Sequence, residues 1–342
     1  MMTLCMNLVL VDKVGDIGIN AFSVISYSER NGGVCKVKRI YFTPEKDGFY
    51  GAYFGNKRKT DKAMILMLGD AIDDRMAVSG VKWIHKLGCN ALTMSPAKKD
   101  YGHHNYPLER FGEAITYLKT QGNGKIGVAG ASTTGMRALL AASYYPDISL
   151  TIALSPSDFV MEGFYRDGLD GARERPGNGE SSVSYQGQPL PYLPYAYRHP
   201  EYWEKIKQES KEGGDMIASR KMFDESERLH PVQEKEKIKV ENIKGKLVLI
   251  GAEDDVLWDT CKYIRRMVER MRSTPHSCKY ATLIYEHGTH FVFPESMLKI
   301  MIPVGSGLLI KLAFKAGRKY PKPCKAARLD IDCKLSRIIR TW

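Results

Sequence analysis

The sequence predicts an α/β fold, with a mostly parallel central sheet, helices on both faces and an inserted lid. Two observations support this prediction. From residue 63 to residue 155, short apolar runs alternate with helical segments, and the alternation resumes at residue 246 after a long interruption. The apolar runs are continuous, as expected for parallel strands that helices cover on both sides. At 342 residues the chain is long enough to bury a full core.

Local patterns predict the individual elements. Three β-like runs near the N-terminus lie at residues 22–28, 34–42 and 48–55, with turn residues between them. They predict that the sheet begins with antiparallel strands. The predicted strands of the alternating part are 63–68, 90–94, 125–130, 149–155, 246–251 and 280–286. The predicted helices between them are 76–87, 108–122, 133–145 and 259–272.

The interruption between residues 156 and about 240 predicts the lid. Its first half is rich in glycine, proline and tyrosine, and charged helical stretches follow as far as residue 239. This segment is too long for a tight connection between a strand and a helix. We therefore expect an N-terminal extension with the entry strands at 1–60, followed by one α/β domain at 61–342 that contains the lid.

Composition narrows the class of protein. Hydrophobic residues make up 43% and charged residues 26%, which is typical of a globular protein, and no apolar run is long enough to cross a bilayer. The formal net charge is +12, and the basic excess increases after Lys311. No nucleic-acid-binding motif accompanies it, so we expect a small-molecule substrate and no nucleic acid. The basic region is either a solvated face or a surface that attracts phosphate-bearing small ligands.

The cysteines and the N-terminal sequence indicate in which cellular compartment the protein functions. The seven cysteines are irregularly spaced and include no C-x-x-C pair, which favours reduced thiols over disulfides or a zinc site. The apolar N-terminus has no basic leader and no small-residue cleavage site, so we expect a cytoplasmic protein. His103 and His104 follow Asp100, but no further ligand lies at a telling distance. We therefore expect a solvated loop there, no metal and no cofactor.

Three strand ends carry residues that suit nucleophilic catalysis. Ser132 follows the strand at 125–130, Asp254 and Asp255 follow the strand at 246–251, and His290 follows the strand at 280–286. Functional groups of such sheets gather at the carboxyl ends of the strands. A serine needs a histidine to remove its proton and a carboxylate to fix the tautomer of that histidine. The order nucleophile, acid, histidine is that of the α/β-hydrolase fold, which we predict here.

Each of these residues has a simpler alternative role. Ser132 could begin a helix, and either aspartate could cap the helix that follows its strand. His290 could be a surface histidine, and His287 is its nearest competitor. Because His290 follows a Gly-x pair and precedes an apolar run, we expect it on a tight turn against the core, with His287 uninvolved.

The turn at Ser132 departs from the usual nucleophile elbow. The pattern G-x-S-x-G has its first glycine at Gly130, but Thr134 occupies the second glycine position and Gly135 follows one residue late. An oxyanion hole needs backbone N–H groups. We expect one from Thr133 and the other from the loop at 69–75, at Asp70 or Ala71.

Several segments resemble the acyl-CoA thioester hydrolase / bile-acid-CoA:amino-acid N-acyltransferase family, in its C-terminal α/β-hydrolase domain. The resemblance extends from about residue 60 to about residue 295. It rests on the segments "PLERFGEAITYL" with "KIGVAGAS", "GAEDDVLW", "YEHGTHFVFP" and, in the insert, "SYQGQPLPYLP".

The resemblance implies a Ser–Asp–His triad that attacks a thioester carbonyl and forms an acyl-Ser132 intermediate. It directly assigns Ser132 as the serine and His290 as the histidine of this triad. For the acid, the residue three positions after Gly251 is Asp254, and the residue three positions before Trp258 is Asp255. We prefer Asp254 because it lies nearer the strand end, and Asp255 is the alternative.

The resemblance also bears on the reaction. Family members that transfer acyl groups to amino acids tend to have a cysteine nucleophile, so the serine favours hydrolysis of an acyl-CoA or another ester. The alternatives are transfer to an amine, or a hydrolase-fold protein that binds a ligand without turnover, which the threonine at position 134 favours. Oligomeric state is left open.

Overall fold

The computed structural model describes residues 39–69, 71–95, 103–165, 175–303 and 305–342. The strands in these residues are β1 Arg39–Phe42, β2 Gly51–Phe54, β3 Lys62–Met67, β4 Asn90–Met94, β5 Tyr106–Pro107, β6 Lys125–Ala131, β7 Ile148–Leu154, β8 Glu162–Tyr165, β9 Arg175–Ser181, β10 Val183–Tyr185, β11 Gln188–Pro189, β12 Lys246–Ala252 and β13 Lys279–Tyr285. The helices are α1 Pro44–Asp47, α2 Arg75–Lys86, α3 Glu109–Thr120, α4 Thr133–Tyr144, α5 Glu201–Gly213, α6 Arg220–Leu229, α7 Thr260–Ser273, α8 Glu295–Met301, α9 Ser306–Ala313, α10 Lys315–Lys319 and α11 Pro321–Thr341.

Eight strands form the main sheet, in the order β1-β2-β4-β3-β6-β7-β12-β13. The pairs β1–β2 and β2–β4 are antiparallel, and every later neighbouring pair is parallel. The antiparallel entry is confirmed for β1 and β2, whereas the predicted strand at 22–28 lies outside the described residues. The predicted strands from 63 onward match β3, β4, β6, β7, β12 and β13 to within two residues.

The central strands are buried along almost their whole length, as expected for parallel strands that helices cover on both sides. All five residues of β4 are buried, and β3 and β12 each have one residue that is not. The helices follow their amphipathic pattern: α3 buries Phe111, Ile115 and Leu118 on one side. This core holds the carboxyl ends of β6, β7, β12 and β13 at one edge of the sheet.

The segment between β7 and β12 contains two small sheets and two helices. A two-stranded antiparallel sheet joins β8 and β9, while β10 pairs with β11 and, in parallel, with β5. The helices α5 and α6 follow. An aromatic cluster holds these pieces together, because the ring of Tyr195 contacts those of Phe164, Tyr202 and Phe223. Among the described helices, none has the length and apolar character to cross a membrane.

Candidate active site

Ser132 lies at a sharp turn between β6 and α4. Its backbone has φ 62° and ψ −131°, a conformation that a residue with a side chain adopts only when its surroundings enforce it. The N–H of Ser132 donates to the carbonyl oxygen of Leu154 at the end of β7, over 2.8 Å. The Ser132 hydroxyl is buried and makes no hydrogen bond to the described residues. The side chain is therefore held at a strained turn with its oxygen not engaged elsewhere.

The glycines of the turn are required for space. A Cβ atom on Gly130 would lie 2.0 Å from the carbonyl oxygen of Thr134, and one on Gly135 would lie 2.9 Å from that of Leu154. Gly130 therefore brings β6 against the first turn of α4, and Gly135 lets that helix pass close to β7.

Thr134, which replaces the second glycine of the elbow pattern, is part of the turn. Its hydroxyl lies 2.5 Å from the carbonyl oxygen of Met67 at the end of β3 and 2.8 Å from that of Ala131, and it accepts from the N–H of Ala131 over 3.0 Å. Thr134 is 6% exposed, so these bonds are shielded from water. The threonine ties the elbow to the neighbouring strand without preventing the strained conformation of Ser132.

Asp255 and His290 form a buried pair. The Nδ1 atom of His290 donates to Oδ2 of Asp255 over 2.8 Å, and both side chains are fully shielded from solvent. Asp255 also accepts from the hydroxyl of Thr260 over 2.5 Å and from the N–H of Leu257 over 2.9 Å. The other ring nitrogen of His290, Nε2, is buried and has no hydrogen-bond partner among the described residues. The carboxylate thus fixes the ring and leaves Nε2 to accept a proton.

Trp258 and Ser155 both contact His290 at the edge of the sheet. The indole ring of Trp258 lies edge-on to the imidazole with 4.8 Å between ring centroids, and its N–H donates to the carbonyl oxygen of Ser155 over 3.2 Å. The Ser155 hydroxyl donates to the carbonyl oxygen of His290 over 3.0 Å. Because Ser155 directly follows Leu154, which accepts from Ser132, the end of β7 connects the serine turn with the histidine turn.

Asp254, the preferred acid in the sequence analysis, does not contact His290. Its carboxylate accepts from the N–H groups of Gly288 and Thr289 over 2.9 and 2.7 Å, and it lies 3.2 Å from Nδ1 of His287. The preference for Asp254 is therefore corrected: the aspartate on His290 is Asp255, the alternative that counting back from Trp258 selected. Asp254 instead caps the tight turn that presents His290, where Thr289 has φ 60°.

The candidate oxyanion donors have different surroundings. Thr133 is the first residue of α4, where backbone N–H groups have no partner within the helix. The N–H of Ala71 donates to Oδ2 of Asp74 over 3.2 Å, so Ala71 is already engaged. Asp70 lies outside the described residues.

His103 is a buried residue beside the elbow, where the sequence predicts a solvated loop. It is 3% exposed, and its Nδ1 atom lies 3.5 Å from Oγ1 of Thr133. Its carbonyl oxygen accepts from the N–H of Phe164 in β8, which ties it to the inserted segment. The expectation of a solvated loop is wrong for His103. The neighbouring His104 is half-buried, and burial lowers its pKa. A His-His pair in a polar stretch has no periodicity that could predict this burial.

The chain matches a known family over more than half of its length. A family model described as "BAAT / Acyl-CoA thioester hydrolase C terminal" matches residues 106–299, a range that includes Ser132, Asp255 and His290. The chain belongs to this family. The resemblance seen in the sequence is thereby confirmed. A search of curated proteins finds no match.

Several solved structures resemble this chain at low identity. The Pyrococcus furiosus esterase Pf2001 has 14% identity, covers 90% of this chain and 99% of its own, and gives a TM-score of 0.43. The α/β-hydrolase MGS-M1 from a Medee basin deep-sea metagenome library has 14% identity, coverages of 90% and 98%, and a TM-score of 0.45. Est1E from Butyrivibrio proteoclasticus has 14% identity, coverages of 87% and 99%, and a TM-score of 0.40.

Sheet order and family together confirm the predicted α/β-hydrolase fold. In the parallel part of the main sheet, β4-β3-β6-β7-β12-β13, a strained strand-to-helix turn follows β6, as that fold requires. By family and fold, this chain is a hydrolase.

Proposed function

We propose that this protein hydrolyses an acyl thioester, an acyl-CoA, or a related ester through an acyl-Ser132 intermediate. The observation that carries the proposal is the buried Asp255–His290 pair, which the end of β7 connects to the strained turn at Ser132. Neither Ser132 Oγ nor His290 Nε2 makes a hydrogen bond to the described residues. Membership of the thioester hydrolase family supports the substrate class.

The proposed reaction has two steps. Ser132 Oγ attacks the acyl carbonyl carbon as His290 Nε2 accepts its proton, and Asp255 stabilises the imidazolium that forms. The N–H of Thr133 donates to the developing oxyanion. When the C–S bond breaks, His290 returns the proton to the leaving thiolate. Water then attacks the acyl-serine as His290 Nε2 accepts one of its protons. When the bond between the acyl carbon and Ser132 Oγ breaks, His290 returns that proton to Oγ and the carboxylic acid leaves.

The serine and the intact elbow favour turnover over simple binding. The replacement of glycine by Thr134 raised the alternative of a protein that binds without reaction. That residue adds hydrogen bonds to Met67 and Ala131, while Ser132 keeps its φ of 62°. The departure from the elbow pattern is therefore compatible with a reactive serine.

A substrate panel tests the proposal. We expect purified protein to release CoA from acyl-CoA substrates or p-nitrophenol from p-nitrophenyl esters, and Ser132→Ala to reduce the rate by about 10³-fold or more. Ser143→Ala is the matched control, because Ser143 lies in the same helix and its hydroxyl bonds to the carbonyl of Leu140 over 2.8 Å. Equal turnover by Ser132→Ala and wild type would refute the mechanism.

Product analysis separates hydrolysis from acyl transfer. With glycine or taurine present, hydrolysis yields the free acid, whereas transfer yields an amide of higher mass. We expect the free acid to predominate. A predominant amide would replace the hydrolysis proposal by N-acyl transfer, and the absence of any Ser132-dependent turnover would favour a binding protein.

A further inference from the structure

The C-terminal segment of the chain combines exposed leucines with a high positive charge. Residues 305–342 contain ten Lys and Arg residues and only two Asp residues, so this segment provides much of the net charge of +12. Within the described part of the chain, its ion pairs are Arg328–Glu295 and Lys334–Asp330. The other eight cations make no ion pair with a described residue, although Asp215 accepts from the backbone N–H of Lys315.

Helix α9 presents an apolar pair to solvent. Leu308 and Leu312 are 58% and 57% exposed, whereas Ile310 and Ala313 are buried against the core. Residues four apart lie on the same side of a helix, so the two leucines form one patch. Both are more exposed than any other large apolar residue in the described part of the chain.

Exposed lysines accompany this apolar pair. Lys311 is exposed and follows Leu308 by three residues, so it borders the pair on α9, and exposed Lys315 begins α10 just after α9 ends. Exposed Lys319 and Lys322 continue the charge along α10 and the start of α11. Leucines on a face bordered by lysines are typical of helices that lie in the interface of a bilayer, with the apolar side chains below the headgroups.

We propose that Leu308 and Leu312, together with Lys311, Lys315, Lys319 and Lys322, form a surface that binds the interface of a membrane containing anionic lipids. This surface, here called the α9 surface, adjoins the candidate active site. Lys315 and Lys319 line a cavity of about 260 Å³ together with Asp215, Asp254 and Asp255. The proposal does not depend on the hydrolytic mechanism, because it concerns binding alone.

Charge complementarity favours a membrane over a second copy of the chain or residues 1–38 as the partner of this patch. A second copy of the chain docked symmetrically would place lysines against lysines, which is unfavourable. Residues 1–38 contain four Lys or Arg and three Asp or Glu, so they offer the lysines no acidic complement. A bilayer with anionic headgroups complements both the leucines and the lysines.

Vesicle co-sedimentation of the full chain tests the proposal. Wild type should bind vesicles with one-third phosphatidylserine at least tenfold more tightly than vesicles of phosphatidylcholine alone, and binding should weaken from about 0.1 M to about 0.5 M salt. Leu308→Ser/Leu312→Ser should weaken binding about tenfold or more. Lys311→Glu/Lys315→Glu should weaken it by about fivefold or more for each position.

Two control variants match these changes in type and exposure. Leu229→Ser replaces a leucine that is 47% exposed at the end of α6, and Lys57→Glu reverses an exposed lysine outside the C-terminal segment. Both should bind vesicles within twofold of wild type. Equal affinity for the two vesicle types, or undiminished binding by the leucine and lysine variants, would overturn the proposal. So would a dimer in the absence of lipid that the leucine variants abolish.

Discussion

His290 and Asp255 share a hydrogen bond of 2.8 Å in a site closed to solvent, although Asp254 is the aspartate nearer the strand end. The two neighbouring carboxylates point in different directions. One fixes the ring of His290, and the other accepts from the backbone of the turn that carries it. The two aspartates should therefore differ in their effects on activity and on stability.

Replacing Asp255 should remove most of the activity. In Asp255→Asn, the amide no longer stabilises the imidazolium and favours the wrong tautomer of His290, so kcat/KM should fall by about 10³- to 10⁴-fold. Asp254→Asn is the matched comparison. It should change kcat/KM by less than about tenfold and lower the free energy of unfolding by about 1–2 kcal/mol, because the turn loses charge-assisted hydrogen bonds. Rate assays and urea unfolding measure both effects. A larger rate loss for Asp254→Asn than for Asp255→Asn would show that Asp254, and not Asp255, is the acid of the triad.

The hydroxyl of Thr134 should stabilise the elbow. Thr134→Val keeps the branched shape but leaves the carbonyl oxygens of Met67 and Ala131 without this donor, at a cost of about 1–3 kcal/mol in the free energy of unfolding. Thr134→Ser retains the hydroxyl and should cost about 1 kcal/mol or less. Urea unfolding of the three proteins measures the difference. If valine and serine variants are equally stable, the hydroxyl is not what holds this turn.

Gly130 should tolerate no side chain. The Cβ of Gly130→Ala would meet the carbonyl oxygen of Thr134 at 2.0 Å, so the backbone of the elbow must move, at an expected cost of about 3 kcal/mol or more. Gly55→Ala is a suitable control, because its Cβ would have its nearest contact at 3.7 Å. Thermal unfolding should show a large loss for Gly130→Ala alone. A normal melting temperature for that variant would contradict the close approach of β6 and α4.

The C-terminal helix α11 should depend on one buried ion pair. Arg328 Nε donates to Oε2 of Glu295 over 2.8 Å, and both side chains are almost completely buried. Glu295→Gln leaves the guanidinium without its countercharge and should cost about 3–5 kcal/mol. Asp147→Asn, which breaks the exposed pair with Lys119, should cost about 1 kcal/mol or less. Calorimetry of both variants measures the contrast, and equal losses would contradict a special role for Arg328.

Much of the fold could be predicted because buried strands and helices have characteristic patterns of apolar residues in the sequence. The strands β3 and β12 are apolar runs after their first lysine, with helical segments beside them, so both their type and their position follow from the pattern. The pairing of β5 with β10 could not be predicted, because a two-residue strand has no periodicity and its partner is distant in sequence.

The sequence predicts the residue types of the candidate site but not the directions of their side chains. Ser132 and His290 follow from their strand ends, and the pair of aspartates follows from β12. Which aspartate faces His290 depends on the path of the backbone between Ala252 and Thr260, where Asp255 also meets Leu257 and Thr260. His103 was missed because its burial depends on contacts with the elbow and with β8.

The most direct test of the account is covalent labelling with a fluorophosphonate, followed by intact mass measurement and peptide mapping. We predict one adduct on the wild-type protein, located at Ser132, with labelling abolished in Ser132→Ala and retained in Ser143→Ala. An adduct on another residue, or full labelling of Ser132→Ala, would contradict the central claim that Ser132 is the nucleophile.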